Sequence, residues 1–149
     1  MKEKKVRSRG AVLNGRGAVL IYPLRLGVQR GSLVLLSSAL PDATEFVVVV
    51  SNNVQNESSD VLLVVPLQRR SSRLLAPFAV ELGKAEGFRR PHIARCDWVT
   101  RIARGDVQGI VRASCSSEIM RRVGEALTVA LALEQEQIGI RVESLSAFA

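Results

Sequence analysis

Two apolar runs between Glu45 and Leu67 constrain the fold more than any other part of the chain. Val47–Val50 is β-branched throughout, and Val61–Val65 mixes Val with Leu. Branching at Cβ stiffens a side chain in a helix and suits it to a pleated surface. Short unbroken runs of this kind, bounded by turn-forming residues, read as buried strands. The segment between them, Ser51–Asp60 (SNNVQNESSD), has no apolar periodicity. At this length it makes a long hairpin connection or a link between neighbouring strands, not a tight turn. The pair is expected to form the centre of a small β-barrel.

The flanking sequence extends this pattern. Ser32–Leu36 reads as a strand, and Ser37–Thr44 as a turn segment in which Pro41-Asp42 supplies the chemistry. Gln68–Arg73 is a basic polar loop. Phe78–Leu82 alternates like a half-buried strand, His92–Cys96 and Trp98–Ile102 read as one bent strand, and Val107–Arg112 as another. Ser116–Leu133 is a helix, with Ser116 at the N-cap and Glu118 in the positive first turn. Its apolar stripe is Ile119, Val123, Ala126, Leu127, Ala130 and Leu131. Gly124 costs about 1 kcal/mol relative to Ala in a helix interior, so close packing is expected there. Beyond Glu134 the tail is weakly patterned, with a candidate strand at Ile138–Val142. Several short strands followed by one amphipathic helix give an α+β chain, mainly β: an antiparallel barrel with a helix packed on it.

Composition narrows the function. The 149 residues suit one domain with an aliphatic core, since apolar residues make up 47% and aromatics only 4%. A net charge of +7 favours a polyanionic partner: nucleic acid, an acidic protein or an anionic surface. Two cysteines, one histidine and no CxxC argue against a metal site or a disulfide framework. Cys96 and Cys115 read as buried thiols in a reducing compartment. No apolar run is long enough for a signal peptide or a membrane span, which points to a cytoplasmic protein. Met1–Arg16 is a basic arm, with six Lys and Arg residues against Glu3. Residues 1–27 are expected to be an extension, either disordered or not native. Residues 28–134 would then be the domain and residues 135–149 a tail.

The chain resembles the MazF/PemK/CcdB toxin family at four places. Arg30-Gly31-Ser32-Leu33-Val34-Leu35 is similar to its opening strand, and Val47–Asn53 with Asp60–Leu67 to its "LVVSNN…VVVVPLT" pair. His92–Ile102, with Asp97 at the acidic position, resembles "VAxxDxIRTV", and Val111–Leu133 the closing strand and helix. The resemblance implies an SH3-like barrel that forms a homodimer and acts as the toxin of a toxin–antitoxin pair. Most such toxins are metal-independent endoribonucleases that cut single-stranded RNA, and an acidic antitoxin segment occupies their substrate channel. CcdB-type members poison DNA gyrase instead.

Cleavage without a metal requires the 2′-hydroxyl to attack the adjacent phosphate, so the protein must supply a base, an acid and cations for the developing charge. The family's cation position, an Arg-Pro before the second strand, is occupied here by Glu45-Phe46, and its hydroxyl position after "PL" by Gln68. A glutamate repels phosphate. The candidate catalytic residues are therefore Gln68 and its neighbours Arg69 and Ser71. Arg30, Asn52, Asn53, Arg70 and Arg73 are the candidate substrate contacts, with arginine suited to phosphate and asparagine to bases. No metal or other cofactor is expected. The alternative is a catalytically inactive member that keeps the fold and binds an acidic partner, nucleic acid or gyrase. His92 and Asp97 are expected to be structural.

Overall fold

The computed structural model describes residues 27–71 and 76–133, and the backbone alone of residues 10–13 and 18–21. The elements in chain order are β1 (Gly10–Leu13), β2 (Ala18–Ile21), β3 (Leu33–Leu36), β4 (Phe46–Val49), α1 (Asn53–Ser58), β5 (Val61–Arg69), β6 (Ala79–Leu82), β7 (His92–Arg95), β8 (Thr100–Ala103), β9 (Val107–Arg112) and α2 (Ser117–Ala130). Strands β1 and β2 form an antiparallel hairpin, Gly10 opposite Ile21 and Leu13 opposite Ala18, and β2 lies against β9. The remaining seven strands form one sheet, six in the order β6-β7-β5-β4-β3-β9 and β8 beside β5, with every pairing antiparallel.

Strand β5 organises this sheet. On one edge it pairs with β4, Val47 opposite Pro66 and Val49 opposite Val64. Its other edge is divided: the first half pairs with β8 and the second half with β7. A nine-residue strand can thus belong to two sheet segments at once. The sheet is mainly antiparallel and carries a C-terminal helix, as expected. Among the described residues it remains open: no pairing joins the outer strands β6 and β9 into a ring.

The unbroken valine runs are explained by burial of both sheet faces, which removes the need for a polar alternate residue. One face carries Leu33, Val48, Val65 and Leu67 and packs against Leu82, Phe88 and the α2 residues Ile119, Val123 and Ala126. The other face carries Val34, Val47, Val49, Leu62 and Val64 and packs against Ile102, Val107 and Ile110. Val47, Val48 and Val49 are all fully buried. Helix α2 has the expected N-cap, with the Ser116 hydroxyl accepting from the Ile119 amide at 3.2 Å. Glu118 and Glu125 pair with Arg121 and Arg122 on its solvent face.

Three expectations need correction. The segment Ser51–Asp60 is not only a loop, because it contains α1. Asn52 caps that helix, and its Oδ1 accepts from the Gln55 amide at 2.9 Å. Asn56 is buried and bonded to Ser51, and the Arg104 guanidinium binds the helix's last carbonyls at Asn56 and Ser59. Second, His92–Ile102 is two strands rather than one bent strand, since a 3-10 turn at Cys96–Trp98 moves the chain from one half of β5 to the other. Third, Gly124 is not closely packed: a Cβ there would meet nothing within 4 Å. The glycine that does need its freedom is Gly31, with φ +93° and a Cβ position 3.1 Å from Ser114 Oγ. The candidate strand Ile138–Val142 lies outside the described residues.

Candidate functional site

The candidate residues fall into two groups at opposite ends of β4. From Val50 back to Glu45 the five residue steps cover about 17 Å, at roughly 3.3 Å per residue.

Arg30, Asn52 and Asn53 lie at the end nearer Val50. The Arg30 guanidinium donates to the Val50 carbonyl, and its backbone amide donates to Asn53 Oδ1 at 2.7 Å. Asn53 also accepts from Asn56, while Asn52 is occupied by the α1 cap. These polar groups join the β3 entry to α1, so their contacts are with the protein itself.

The other end is open. A notch of about 390 Å3 is lined by Asp42, Thr44, Glu45, Gln68, Arg69 and Ser71, with Ala39 and Ala43. It forms because the Leu40–Ala43 turn holds the β3–β4 connection against the end of β5. The Ala43 amide donates to the Leu40 carbonyl, with Pro41 next and Asp42 at φ +57°, as a turn of this kind requires. Both the Thr44 amide and the Thr44 hydroxyl donate to the Leu67 carbonyl at 2.9 Å. This clamp, with the β4–β5 register, brings Glu45 beside Gln68.

Gln68 is fixed at both ends of its side chain. Its Nε2 donates to the Asp42 carbonyl at 3.1 Å, and its Oε1 accepts from Arg95 Nη1 at 3.4 Å. Glu45, Arg69 and Ser71 line the same notch with their side chains unpaired among the described residues. Arg70 instead points to β6, where it pairs with Glu81. Arg73 lies outside the described residues.

Sequence reasoning missed Arg95. Its guanidinium forms a two-pronged pair with Asp97, at 2.9 and 2.7 Å, and lies 3.9 Å above the Trp98 ring. Bonding to Asp97 pushes its pKa up. The signal was present in Arg95-Cys96-Asp97-Trp98, where opposite charges two residues apart adjoin the only tryptophan. Asp97 is therefore structural as expected, although its partner is a neighbouring side chain. His92 is structural too. It is buried, stacks on Phe88 at 4.2 Å, and its Nδ1 meets the Arg90 carbonyl at 2.8 Å. Cys96 and Cys115 are buried free thiols, and burial pushes their pKa values up to about 12 and about 11. A larger groove of about 630 Å3 runs between β6 and α2, but three carboxylates (Glu81, Glu86 and Glu125) and one guanidinium (Arg122) make it a poor place for phosphate. No group of three or more metal-ligating side chains occurs among the described residues. No described helix is long and apolar enough to cross a membrane.

A family model for the PemK-like, MazF-like toxin of type II toxin-antitoxin systems matches residues 16–131. The chain belongs to this family. Its fold is similar to that of an endoribonuclease from Mycobacterial species, with TM-score 0.57 and 18% identity over 71% of this chain and 92% of that one. A mycobacterial endoribonuclease in complex with its cognate antitoxin gives TM-score 0.58 and 19% identity over 70% and 95%. A MazE-MazF structure from Deinococcus radiodurans gives 0.57 and 17% over 71% and 97%. At these identities the likeness is one of fold. No curated protein matches the chain.

Proposed function

We propose that this toxin is a metal-independent endoribonuclease acting on single-stranded RNA at the Glu45–Ser71 notch. The observation that carries the reading is the notch itself, where a carboxylate, a guanidinium and a hydroxyl, unpaired among the described residues, surround the amide of Gln68. Glu45 takes the proton of the ribose 2′-hydroxyl. The freed oxygen attacks the adjacent phosphorus, a cyclic 2′,3′-phosphate forms as the bond to the 5′-oxygen breaks, the departing 5′-oxygen takes a proton from water at the open mouth, and the hydroxide left behind takes back the proton held by Glu45. Arg69 stabilises the non-bridging oxygens, where charge accumulates. Ser71 donates a hydrogen bond to the same phosphate, and Gln68 forms a fixed polar wall. The repulsion between Glu45 and phosphate is offset by Arg69, and the carboxylate becomes useful because cleavage needs a base. Substrate contacts by Arg30, Asn52, Asn53, Arg70 and Arg73 are secondary in this scheme.

The net charge of +7 suits both RNA and an acidic antitoxin segment lying in the same notch. Val129, Leu131 and Leu133 are exposed at the end of α2 and supply an apolar patch for a homodimer. The site of action is the cytoplasm.

The test is incubation of the purified protein with single-stranded RNA in excess EDTA. Cleavage that persists in EDTA and falls on the Arg69→Ala change is the expected result. A second reading, binding without catalysis, draws on the same Glu45: an acid stands where the family has a cation. It predicts intact antitoxin binding and no cleavage at any enzyme concentration.

A further inference from the structure

The aromatic residues of this chain are few, and most of those described are committed to the core. Phe46, Phe88 and His92 form a buried or half-buried ring cluster, with Phe46 and Phe88 edge to face at 5.4 Å. Phe78 and Trp98 are different. Both are half-buried, and both lie against Arg95, at 5.7 and 3.9 Å from its guanidinium carbon. The guanidinium cannot swing away freely, because Asp97 holds two of its nitrogens and Gln68 accepts from the third. Arg95 therefore links the Trp98 ring to Gln68, which lines the notch.

We propose that Trp98, held by Arg95, is a stacking platform for one nucleobase of a single strand whose phosphate lies in the notch. The proposal rests on the endoribonuclease reading and adds a base-binding subsite to it. Its physical basis is general. Single-stranded nucleic acids are held by cations along the backbone and by aromatic faces under the bases. The Arg95 guanidinium touches both Gln68 and the Trp98 ring, so one side chain links the notch to the indole. Stacking tolerates any base, so the platform adds affinity before it adds sequence preference. Arg95 is a positioning residue for the indole.

Trp98 is the only tryptophan, so intrinsic fluorescence reads this one residue. The experiment titrates the full chain with a 2′-O-methyl single-stranded RNA, which cannot be cleaved, and with inorganic polyphosphate, which has charge but no bases. The expected result is saturable quenching by the oligonucleotide and none by polyphosphate. The Trp98→Ala change should weaken oligonucleotide binding about tenfold, with Trp98→Phe retaining most of the affinity. Oligonucleotide binding with unchanged fluorescence, or equal quenching by polyphosphate, overturns the platform and leaves the endoribonuclease reading intact. Absence of oligonucleotide binding at low salt overturns both. The wild-type titration decides the matter even where a Trp98 variant fails to fold.

Discussion

The two ends of β4 carry similar polar chemistry and use it differently. At the Val50 end, Arg30, Asn52 and Asn53 donate to or accept from the protein's own backbone and side chains. At the Glu45 end, Glu45, Arg69 and Ser71 remain unpaired among the described residues around a fixed Gln68. The first end holds α1 on the sheet, and the second has groups available for a substrate. Residue type alone does not separate the two uses, since arginine and amide side chains occur at both ends. What separates them is whether the hydrogen-bonding capacity has been used within the protein.

The largest expected effect tests the open end. Arg69→Ala should lower RNA cleavage about 100-fold, the scale of one lost charge-stabilising donor. The same change should leave stability within about 0.5 kcal/mol, as for an ordinary surface substitution. Parallel cleavage assays and denaturant unfolding would check both. The closed end should behave the other way round. Asn56→Ala, which removes both buried side-chain bonds to Ser51, should cost about 1–3 kcal/mol by urea unfolding. Cleavage per folded molecule should be unchanged. Asn52→Ala removes the α1 cap and should cost about 1 kcal/mol.

The buried thiols add a pH dependence unrelated to either end. Burial raises the folded pKa values of Cys96 and Cys115 to about 12 and about 11 from an ordinary value near 9. The folded state keeps protons that the unfolded chain releases, so this stabilisation is complete below pH 9 and is lost as pH rises toward the folded values. Thermal midpoints should fall more steeply between pH 9 and 11 in the wild type than in a Cys96→Ala, Cys115→Ala double variant. The smallest effect is a gain. Gly124→Ala enters open space in a helix interior and should stabilise by about 0.5–1 kcal/mol.

The strands were legible because burial of both sheet faces writes itself into unbroken valine runs. Helix α2 was legible from its stripe and its Ser116 cap. Helix α1 was hidden for a physical reason. It is six residues long, its one aliphatic residue, Val54, is 78% exposed, and it is held mainly by the buried Asn56 and by Arg104 from a distant turn. Only the spacing from Asn52 to Gln55 announced it. The division of the candidate residues was hidden as well, because register and strand length decide which of them meet. Glu45 and Gln68 stand 23 residues apart in the chain, and the β4–β5 pairing sets them side by side. Arg95 reaches Gln68 across a 27-residue separation that no local pattern encodes.

The most direct test of the central claim compares Glu45→Gln with Asn53→Ala in single-stranded RNA cleavage with excess EDTA, each variant first shown to be folded. The account predicts that the wild type and Asn53→Ala cleave at similar rates and that Glu45→Gln loses at least about 100-fold, as for removal of a general base. Full activity in Glu45→Gln, or loss of activity in a folded Asn53→Ala protein, would contradict it.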